Sequence, residues 1–484
     1  MKLKEERIVK FGSKLPNLPL LTQQVRQKGE NMKHRPEYHF LPEKNWMNDP
    51  NATIYFKGEH HLFYQYNPTD WHWGNLHYGH ATSKDLLHWK HQPIALAPAL
   101  DRGETHCYSG CSYINQDKIE LLYTSVGAGK RCQHSGSQQW AATTEDGITW
   151  TQIKENPVID MADSPEIQLT EWRDPFVFRW KEGIYALVAG VVNEEYGAVH
   201  LYKTEDFRKW TYVREFFRNT CRKEVMECPN LVVFGDKVLF VHSIWDVRIL
   251  RWFVGTLDED MGFHVLNEGS VDYGDFFASQ ISFDENGRVL MWGWLREDPR
   301  RGLLTDGEWA GVQAIPRVVS VNEKNELVLS RLPEFEKLRT DQETVSVNDL
   351  SGEKYFDTKS YTAELTGTVI SDDVFSIKLL MDETGREYTE IVFNPREGTY
   401  YAPMESSSLL KEVDKRPLFG AFEKNEEHKV EFDILIDCSV VEIFVNKTSC
   451  MSLRVYPVLE GNRISVETKG KIQKGEISVY SIAL

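Results

Sequence analysis

From about residue 38 the chain is a succession of short apolar runs separated by glycine, aspartate and asparagine, with few stretches of helical periodicity. Such runs, bounded by turn-forming residues, are typical of β-strands. Up to about residue 330 the runs come in pairs, and a short polar turn joins the members of each pair. The pairs are 52–56 with 61–66, 108–114 with 119–125, 175–180 with 184–188, 231–234 with 238–243, and 276–283 with 289–295. The pattern predicts an all-β fold built from hairpins.

A short motif returns along this region at nearly constant spacing. It has the form Ser/Thr-x-Asp-x-x-x-Trp and occurs at 83–89, 144–150 and 204–210, with a degenerate copy at 256–263. A repeat of about sixty residues containing about four short strands is typical of a β-propeller blade. A two-sheet sandwich would not explain why the motif returns at the same phase. We therefore predict a five-bladed β-propeller over residues 37–332, with Trp89, Trp150 and Trp210 as core residues.

Three carboxylates lie next to, or one residue away from, a proline near the start of these pairs. They are Asp49 in Asn-Asp-Pro, Asp174 in Arg-Asp-Pro and Glu227 in Glu-Cys-Pro. Each sequence alone is a common turn, because proline restricts its own φ and the residue before it. In a propeller, however, the first strand of every blade lines the central axis, so the three side chains would converge on one funnel. Acidic groups gathered in one cavity repel each other, so we predict an active site; a close carboxylate pair suits glycoside hydrolysis.

The repeat stops after residue 332. Residues 333–349 are predicted as a connector, and 350–484 alternate as strands of an antiparallel β-sandwich do, for example at 430–436 and 440–445. Residues 1–36 are charged and are predicted as an N-terminal extension. Because no catalytic motif lies beyond residue 349, we expect the sandwich to extend the rim of the site or to mediate a homodimer.

Composition narrows the choice of partners. The 484 residues include 56 basic and 73 acidic side chains, a formal net charge of −17, which disfavours nucleic acid and anionic membranes. The chain contains no run of about 18 consecutive apolar residues, which is the length expected of a membrane-spanning helix. No apolar segment follows the charged N-terminal residues either, so we expect a cytoplasmic protein. Aromatic residues make up 12% of the chain, which fits aromatic-rich β-structure or a sugar-binding surface.

The candidate metal ligands are weak. Cys107, Cys111, Cys132 and His134 lie near one another in the sequence, but their spacing matches no common zinc pattern. Seven cysteines in a chain of this length also do not suggest a disulfide framework. We therefore expect no metal and no cofactor.

Seven segments, taken in order, carry a family resemblance. They are Trp-Met-Asn-Asp-Pro-Asn at 46–51, Phe-Tyr-Gln at 63–65, Trp-Gly at 73–74, Tyr-Ser-Gly at 108–110, Arg-Asp-Pro at 173–175, Met-Glu-Cys-Pro at 226–229 and Trp-Gly-Trp at 292–294. This set resembles that of glycoside hydrolase family 32, which includes invertases, sucrose-6-phosphate hydrolases, fructanases and fructosyltransferases. The resemblance runs from about residue 35 to the end of the chain. It implies a five-bladed propeller followed by a β-sandwich, acting on β-linked fructofuranosyl groups with retention of configuration.

The resemblance also implies roles for individual residues. Asp49 would be the nucleophile, Glu227 the acid/base and Asp174 the stabiliser of the transition state, and retention would place the Asp49 and Glu227 carboxyl groups about 5–5.5 Å apart. A neutral Glu227 requires a raised pKa, which burial and nearby carboxylates can produce. The residues expected to line the fructosyl subsite are Asn48, Gln65, Trp73, Tyr108, Ser109, Arg173, Asp272 and Trp294.

Four positions depart from the family pattern. Ala52 stands where glycine is usual, and an alanine there is strained only if the position needs a positive φ. Tyr108 replaces phenylalanine, Cys111 replaces serine and Phe277 stands where tyrosine is common. We expect these changes to touch the rim of the pocket and to affect substrate preference, leaving the three carboxylates unaffected.

Alternatives remain open both for the substrate and for the class of protein. Within the enzyme class, sucrose, sucrose 6-phosphate and short fructans all fit, and hydrolysis is not distinguished from fructosyl transfer. Arg300 and Arg301 are candidates for holding a phosphate. The alternative class is a propeller that binds fructosides without cleaving them, and the intact carboxylate set favours the enzyme. A cytoplasmic location favours small fructosides over long polymers.

Overall fold

The computed structural model describes residues 34–129, 136–161, 169–219, 223–297, 309–358 and 360–484. The chain divides into two units, Met1–Arg35 and Pro36–Leu484, and every element below lies in the second. The described elements are β-strands and two 3₁₀ turns, Leu100–Arg102 and Pro333–Leu338. None of the described helices has the length and apolar character needed to cross a bilayer.

Five sheets follow one another along residues 45–330, and within each the paired strands that are neighbours in sequence are antiparallel. Sheet 1 contains β1 (Asn45–Phe56), β2 (Glu59–Asn67), β3 (His77–Ser83) and β4 (Lys90–Leu96). Sheet 2 contains β5 (His106–Asn115), β6 (Lys118–Val126), β7 (Gln138–Thr144) and β8 (Thr151–Gln152). Sheet 3 contains β9 (Leu169–Trp180), β10 (Gly183–Val192), β11 (Tyr196–Thr204) and β12 (Trp210–Asn219). Sheet 4 contains β13 (Glu227–Phe234), β14 (Lys237–Ile244), β15 (Ile249–Leu257) and β16 (Phe263–Asp272).

Sheet 5 closes this series. It contains β17 (Phe276–Phe283), β18 (Val289–Leu295), β20 (Val312–Gln313), β21 (Arg317–Val321) and β22 (Leu327–Ser330), while β19 (Trp309–Ala310) pairs in parallel with β1 of sheet 1. The first strands of the five sheets contact one another in a closed ring, β1 to β5, β9, β13, β17 and back to β1. All five predicted strand pairs are confirmed as antiparallel hairpins.

The repeated motif forms the turn between the third and fourth strands of sheets 1–3. In each copy the aspartate accepts hydrogen bonds from backbone N–H groups two and three residues further on, as Asp146 Oδ1 does from Ile148 (2.8 Å) and Thr149 (2.7 Å). Aspartate stabilises such turns because its short side chain reaches the backbone just ahead of it. The tryptophans pack on hydrophobic clusters: Trp89 contacts Trp292, and Trp210 is buried. The motif is therefore structural, as predicted.

Two six-stranded sheets form the C-terminal part. Their strands are β23 (Arg339–Ser346), β24 (Gly352–Asp357), β25 (Thr362–Ile370), β26 (Phe375–Asp382), β27 (Thr389–Asn394), β28 (Thr399–Ala402), β29 (Leu418–Ala421), β30 (Lys429–Asp437), β31 (Val440–Val445), β32 (Ser449–Arg454), β33 (Gly461–Thr468) and β34 (Lys474–Ile482). Sheet 6 has the order β23-β34-β25-β30-β31-β32, and sheet 7 has the order β24-β33-β26-β27-β28-β29. Buried side chains of both sheets form one hydrophobic cluster.

The structure differs from the predicted connector over 333–349. Only Pro333–Leu338 is a 3₁₀ turn, and β23 then pairs with β34 as the edge strand of sheet 6. Its side chains are almost all exposed, because an edge strand with a solvated face needs few apolar residues. The sequence of β23 therefore lacks the apolar alternation from which a strand is predicted.

Buried ion pairs join sheets 1–5 to the C-terminal sheets. Arg454 Nη1 lies 2.8 Å from Glu297 Oε1, and Arg317 Nη2 lies 3.2 Å from Glu442 Oε2. His39 contacts Asp437 and Glu442 at 2.9 and 3.0 Å, which raises its pKa to about 9 although burial alone would lower it. Removing one partner of such a buried pair leaves an uncompensated charge, so these contacts tie the two parts firmly together.

Candidate active site

The first strands of the five sheets share an irregularity at the same end. In each one the register with the second strand shifts, which marks a β-bulge. Asp174, Cys228 and Ala278 have positive φ values of 63°, 47° and 50° at these points. A bulge breaks the alternation of side chains and redirects them, which is why bulges are frequent beside active sites. Here the bulges turn side chains from five sheets toward one cavity.

Asp49, on β1, is held by a chain of polar side chains. Its Oδ2 accepts hydrogen bonds from Ser109 Oγ at 3.2 Å and from Gln65 Nε2 at 3.4 Å. Gln65 also donates to Ser109 Oγ at 2.7 Å and accepts from Asn48 Nδ2 at 2.8 Å. The predicted residues Asn48, Gln65 and Ser109 therefore lie around Asp49 and fix its carboxylate.

Asp174, on β9, lies close to Asp49 and is buried. Its Oδ2 accepts a hydrogen bond from the backbone N–H of Cys228 at 3.0 Å. The Cys228 thiol lies 3.7 Å from this same oxygen and 4.0 Å from Asp49 Oδ2. One small side chain thus separates two carboxylates.

Glu227, on β13, is paired with the Arg173 guanidinium. Arg173 Nη2 donates to Glu227 Oε1 at 3.0 Å, while Nη1 donates to Glu171 Oε2, and Nε lies 3.9 Å from Asp174 Oδ2. One cation is therefore shared by three carboxylates. Together with Asp49, four carboxylates and one guanidinium meet here among the described residues.

This balance of charge perturbs the pKa values of the carboxyl groups. Burial, followed by the charges of Glu227 and Asp174, raises the pKa of Asp49 to about 7, although the Ser109 hydrogen bond opposes the change. Burial also raises the pKa of Glu227, and Asp174 adds to this, whereas Arg173 lowers it. Raised pKa values of interacting carboxylates are typical of catalytic sites.

The floor and rim of the cavity are aromatic. The floor includes Trp46, Phe277 and Trp294, with the Trp46 and Trp294 rings 5.9 Å apart. Trp245 is 41% exposed and lies parallel to Trp294 at 6.4 Å. At the rim, Trp73 is 53% exposed and meets Tyr108 edge-on at 6.3 Å. The predicted residues Trp73 and Tyr108 thus lie at an aromatic surface suited to sugar rings, whereas Trp294 is buried beneath Trp245.

Asp272 is not part of the cavity, contrary to prediction. Its side chain is fully buried at the junction with the C-terminal sheets, where Oδ2 accepts from Arg317 Nη2 at 2.7 Å and from Ser452 Oγ at 3.0 Å. Its Oδ1 accepts from the N–H groups of Gly274 and Ser452. All of its hydrogen-bonding capacity is used within the protein, which indicates a structural role for Asp272.

We expect Asp272→Asn to lower the free energy of unfolding by about 3 kcal/mol, since the amide NH2 replaces one of the two accepting oxygens and faces buried donors, and Arg317 loses a buried negative charge. Chemical denaturation measures this change, and kcat/KM per folded molecule should move less than about threefold. Asp236→Asn, on the exposed β13–β14 turn, is the matched control. A large rise in KM with unchanged stability would restore a substrate-binding role.

The departures from the family pattern have different structural settings. Ala52 adopts a φ of 47° inside the second register shift of β1, so alanine is strained there, at a cost of roughly 1–2 kcal/mol. Cys111 is buried against Leu122 and Val177 in the core of sheets 2 and 3, so it does not touch the rim, contrary to expectation. Phe277 belongs to the floor and Tyr108 to the rim.

A second cavity region opens beside Glu227, with a volume of about 430 Å³. Sequence reasoning missed most of its residues. Glu171 could have been found, because it precedes Arg173 by two positions and thus shares its face of β9. Trp245 and Asp246 follow β14 without any motif. The residues lining this region are Thr170, Glu171, Arg173, Val191, Glu194, Lys223, Glu224, Val225, Glu227, Trp245 and Asp246.

No group of potential metal ligands is assembled among the described residues. Cys107 is buried with its thiol 3.6 Å from Glu104 Oε1, and Cys111 lies in the core described above. Cys132, His134, Arg300 and Arg301 lie outside the described residues.

The convergence of three carboxylates beside aromatic surfaces defines the site of a glycoside hydrolase. Comparison with known proteins agrees. The model described as "Glycosyl hydrolases family 32 N-terminal domain" matches residues 39–331, and "Glycosyl hydrolases family 32 C terminal" matches residues 334–481. The chain belongs to glycosyl hydrolase family 32.

Individual relatives are similar over most of their length. The chain is 30% identical to a fructan 6-exohydrolase of Beta vulgaris, covering 89% of this chain and 82% of that protein. It is 31% identical to β-fructofuranosidase, insoluble isoenzyme 1, of Daucus carota, covering 89% and 85%. The solved structure of a GH32 β-fructofuranosidase of Bombyx mori matches with a TM-score of 0.80 and 25% identity, covering 96% of this chain and 97% of that one.

Proposed function

We propose that this protein is a retaining β-fructofuranosidase that hydrolyses the terminal β-D-fructofuranosyl bond of sucrose and related small fructosides. The observation that carries the proposal is the meeting of Asp49, Asp174 and Glu227 around Cys228 and Arg173, each carboxylate coming from the first strand of a different sheet. The fructosidase activities named for the relatives support it. Release of fructose from sucrose by the purified protein is the first test.

We also propose that sheets 1–5 are the blades of a five-bladed β-propeller and that sheets 6 and 7 form a β-sandwich. The closed ring of contacts among β1, β5, β9, β13 and β17 supports the propeller, as does the pairing of β19 with β1 across the ends of the series. The shared hydrophobic core of the two six-stranded sheets supports the sandwich.

In the proposed mechanism, Asp49 attacks the anomeric carbon of the fructosyl group while Glu227 donates its proton to the departing oxygen. The bond to the leaving sugar breaks, and a covalent fructosyl ester forms on Asp49. Glu227, now ionised, removes a proton from water, which attacks the ester and releases fructose. The fructosyl anomeric carbon is fully substituted, so positive charge develops strongly in both steps, and ionised Asp174 stabilises it.

The contacts in the active site favour the nucleophile role of Asp49 but oppose, through Arg173, the protonated state that Glu227 needs. The hydrogen bonds from Ser109 and Gln65 stabilise ionised Asp49. The mechanism requires a protonated Glu227, and Arg173 opposes that form because it pairs with the ionised carboxylate.

The cavity beside Glu227 is the proposed leaving-group side, and its charge favours a neutral leaving sugar. Besides Glu227 it is lined by Glu171, Glu194, Glu224 and Asp246, against two cations, Arg173 and Lys223. A phosphate on the leaving sugar would meet like charges, which opposes binding.

We therefore expect kcat/KM for sucrose to exceed that for sucrose 6-phosphate by about tenfold or more, and added salt to narrow the difference. Steady-state kinetics on the two substrates at matched ionic strength measures the ratio. A clear preference for sucrose 6-phosphate would contradict the charge argument. Arg300 and Arg301 would then be the candidates for binding the phosphate, and their removal should reduce the preference for sucrose 6-phosphate selectively.

A further inference from the structure

Glu171 is an acidic group of the cavity that binds Arg173 and has no role in the proposed mechanism. It lies two residues before Arg173 on β9, its side chain is 37% exposed, and it receives a hydrogen bond from Arg173 Nη1. The other terminal nitrogen of the same guanidinium bonds Glu227 Oε1 at 3.0 Å. Glu171 and Glu227 thus accept hydrogen bonds from the two different terminal nitrogens of the Arg173 guanidinium.

This geometry matters because Arg173 acts against the acid/base role of Glu227. A guanidinium that is free to approach a carboxylate pairs with both of its oxygens and stabilises the ionised form. Here only Nη2 reaches Glu227, since Nη1 is bound to Glu171 and Nε faces Asp174. Glu171 and Asp174 therefore restrain the Arg173 guanidinium, which keeps a single contact with Glu227.

We propose that Glu171 is a positioning residue, which anchors the Arg173 guanidinium so that Glu227 keeps the proton it must donate. This inference rests on the proposed function, because it requires Glu227 to act as the general acid. Glu171 acts through Arg173 and does not itself contact the reacting atoms.

The charge of Glu171 also favours the protonated form of Glu227. The negative charge of Glu171 raises the pKa of Glu227, whereas Arg173 lowers it. Removing Glu171 would abolish its effect on the pKa of Glu227 and would allow Arg173 to lower that pKa further. The titratable and charged groups around Glu227 are Asp49 on β1, Tyr108 on β5, Glu171, Arg173 and Asp174 on β9, Cys228 on β13, and Glu194, Lys223, Glu224 and Asp246 along the cavity.

The test is the pH dependence of kcat/KM on sucrose for Glu171→Gln. Activity is lost as the pH rises through the pKa of the general acid, because the proton is then absent. A lower pKa of Glu227 therefore moves the alkaline limb to lower pH. We expect a shift of about 0.5–1 pH unit, as a partly exposed neighbouring charge produces.

Glu194→Gln is the matched control. It makes the same chemical change in the same cavity, but Glu194 is not among the described partners of Arg173, so its alkaline limb should move less than that of Glu171→Gln. Glu171→Asp keeps the charge on a shorter stem and should give a smaller shift in the same direction. Thermal melting of each variant shows that it is folded.

The outcomes separate cleanly. A limb that stays in place in Glu171→Gln, or moves equally in Glu194→Gln, overturns the positioning role. A loss of activity at every pH without a shift also overturns it, because that result reports only a structural contact. Absence of sucrose hydrolysis by the unmodified protein, or full activity of Glu227→Gln, would instead refute the proposed function.

Discussion

Glu227→Gln is expected to slow sucrose cleavage by about 10²–10⁴-fold or more, since the glucosyl oxygen is a poor leaving group and general acid catalysis contributes about this factor. A fructoside with a nitrophenolate leaving group needs no proton at departure, so its first step should be much less affected. Its second step still lacks a base, so the fructosyl ester on Asp49 should accumulate and give a burst of nitrophenolate. Azide, which attacks without a base, should then accelerate turnover.

The same variant has an expected pH signature. The alkaline limb of kcat/KM reports the loss of the proton that Glu227 donates, and an activated leaving group does not need that proton. On the activated substrate Glu227→Gln should therefore lack the alkaline limb that the unmodified protein shows on sucrose.

Glu205→Gln, on the exposed β11–β12 turn, makes the same chemical change away from the described site and should behave as the unmodified protein does. Near-normal sucrose cleavage by Glu227→Gln would mean that another acid in the cavity donates the proton.

Asp49→Asn is expected to lose activity on both substrates, by about 10⁴-fold or more, because the covalent step has no nucleophile. An activated leaving group cannot compensate, so neither a burst nor azide rescue should appear. This contrast with Glu227→Gln separates the two roles, which a simple loss of activity would not. Intact-mass measurement during turnover checks it: an added fructosyl group should be present on Glu227→Gln and absent from Asp49→Asn.

A burst or azide rescue in Asp49→Asn would assign the nucleophile elsewhere. Among the described residues Asp174 is the neighbouring carboxylate, with its Oδ2 bound to the Cys228 N–H. Deamidation of the introduced asparagine back to aspartate would mimic residual activity, and the same mass measurement quantifies it.

The hairpins and the three carboxylates could be predicted because their signals are local. Paired apolar runs with a polar turn between them predict hairpins, and the Asp-x-x-x-Trp motif fixes the phase of the repeat. The beginnings of the first strands were not predicted, because the bulges at Asp174 and Cys228 break the alternation and the nearby prolines indicate turns. The site residues therefore lie within strands and not before them.

The role of Asp272 could not be read from the sequence around it. Its partners Arg317 and Ser452 are 45 and 180 residues away, and the contact exists only because the C-terminal sheets pack on sheets 4 and 5. Edge strand β23 was missed for a related reason, since its one partner β34 lies at the other end of the C-terminal part. The cytoplasmic location and the homodimer stay predictions.

The configuration of the first product tests the central claim most directly. Sucrose cleaved in buffer containing methanol gives a methyl fructofuranoside, whose anomeric centre, unlike that of free fructose, does not re-equilibrate, and NMR identifies its configuration. Double displacement through Asp49 predicts the methyl β-fructofuranoside from the earliest time point. Formation of the α-anomer would mean a single displacement, and would contradict the assignment of Asp49 as nucleophile.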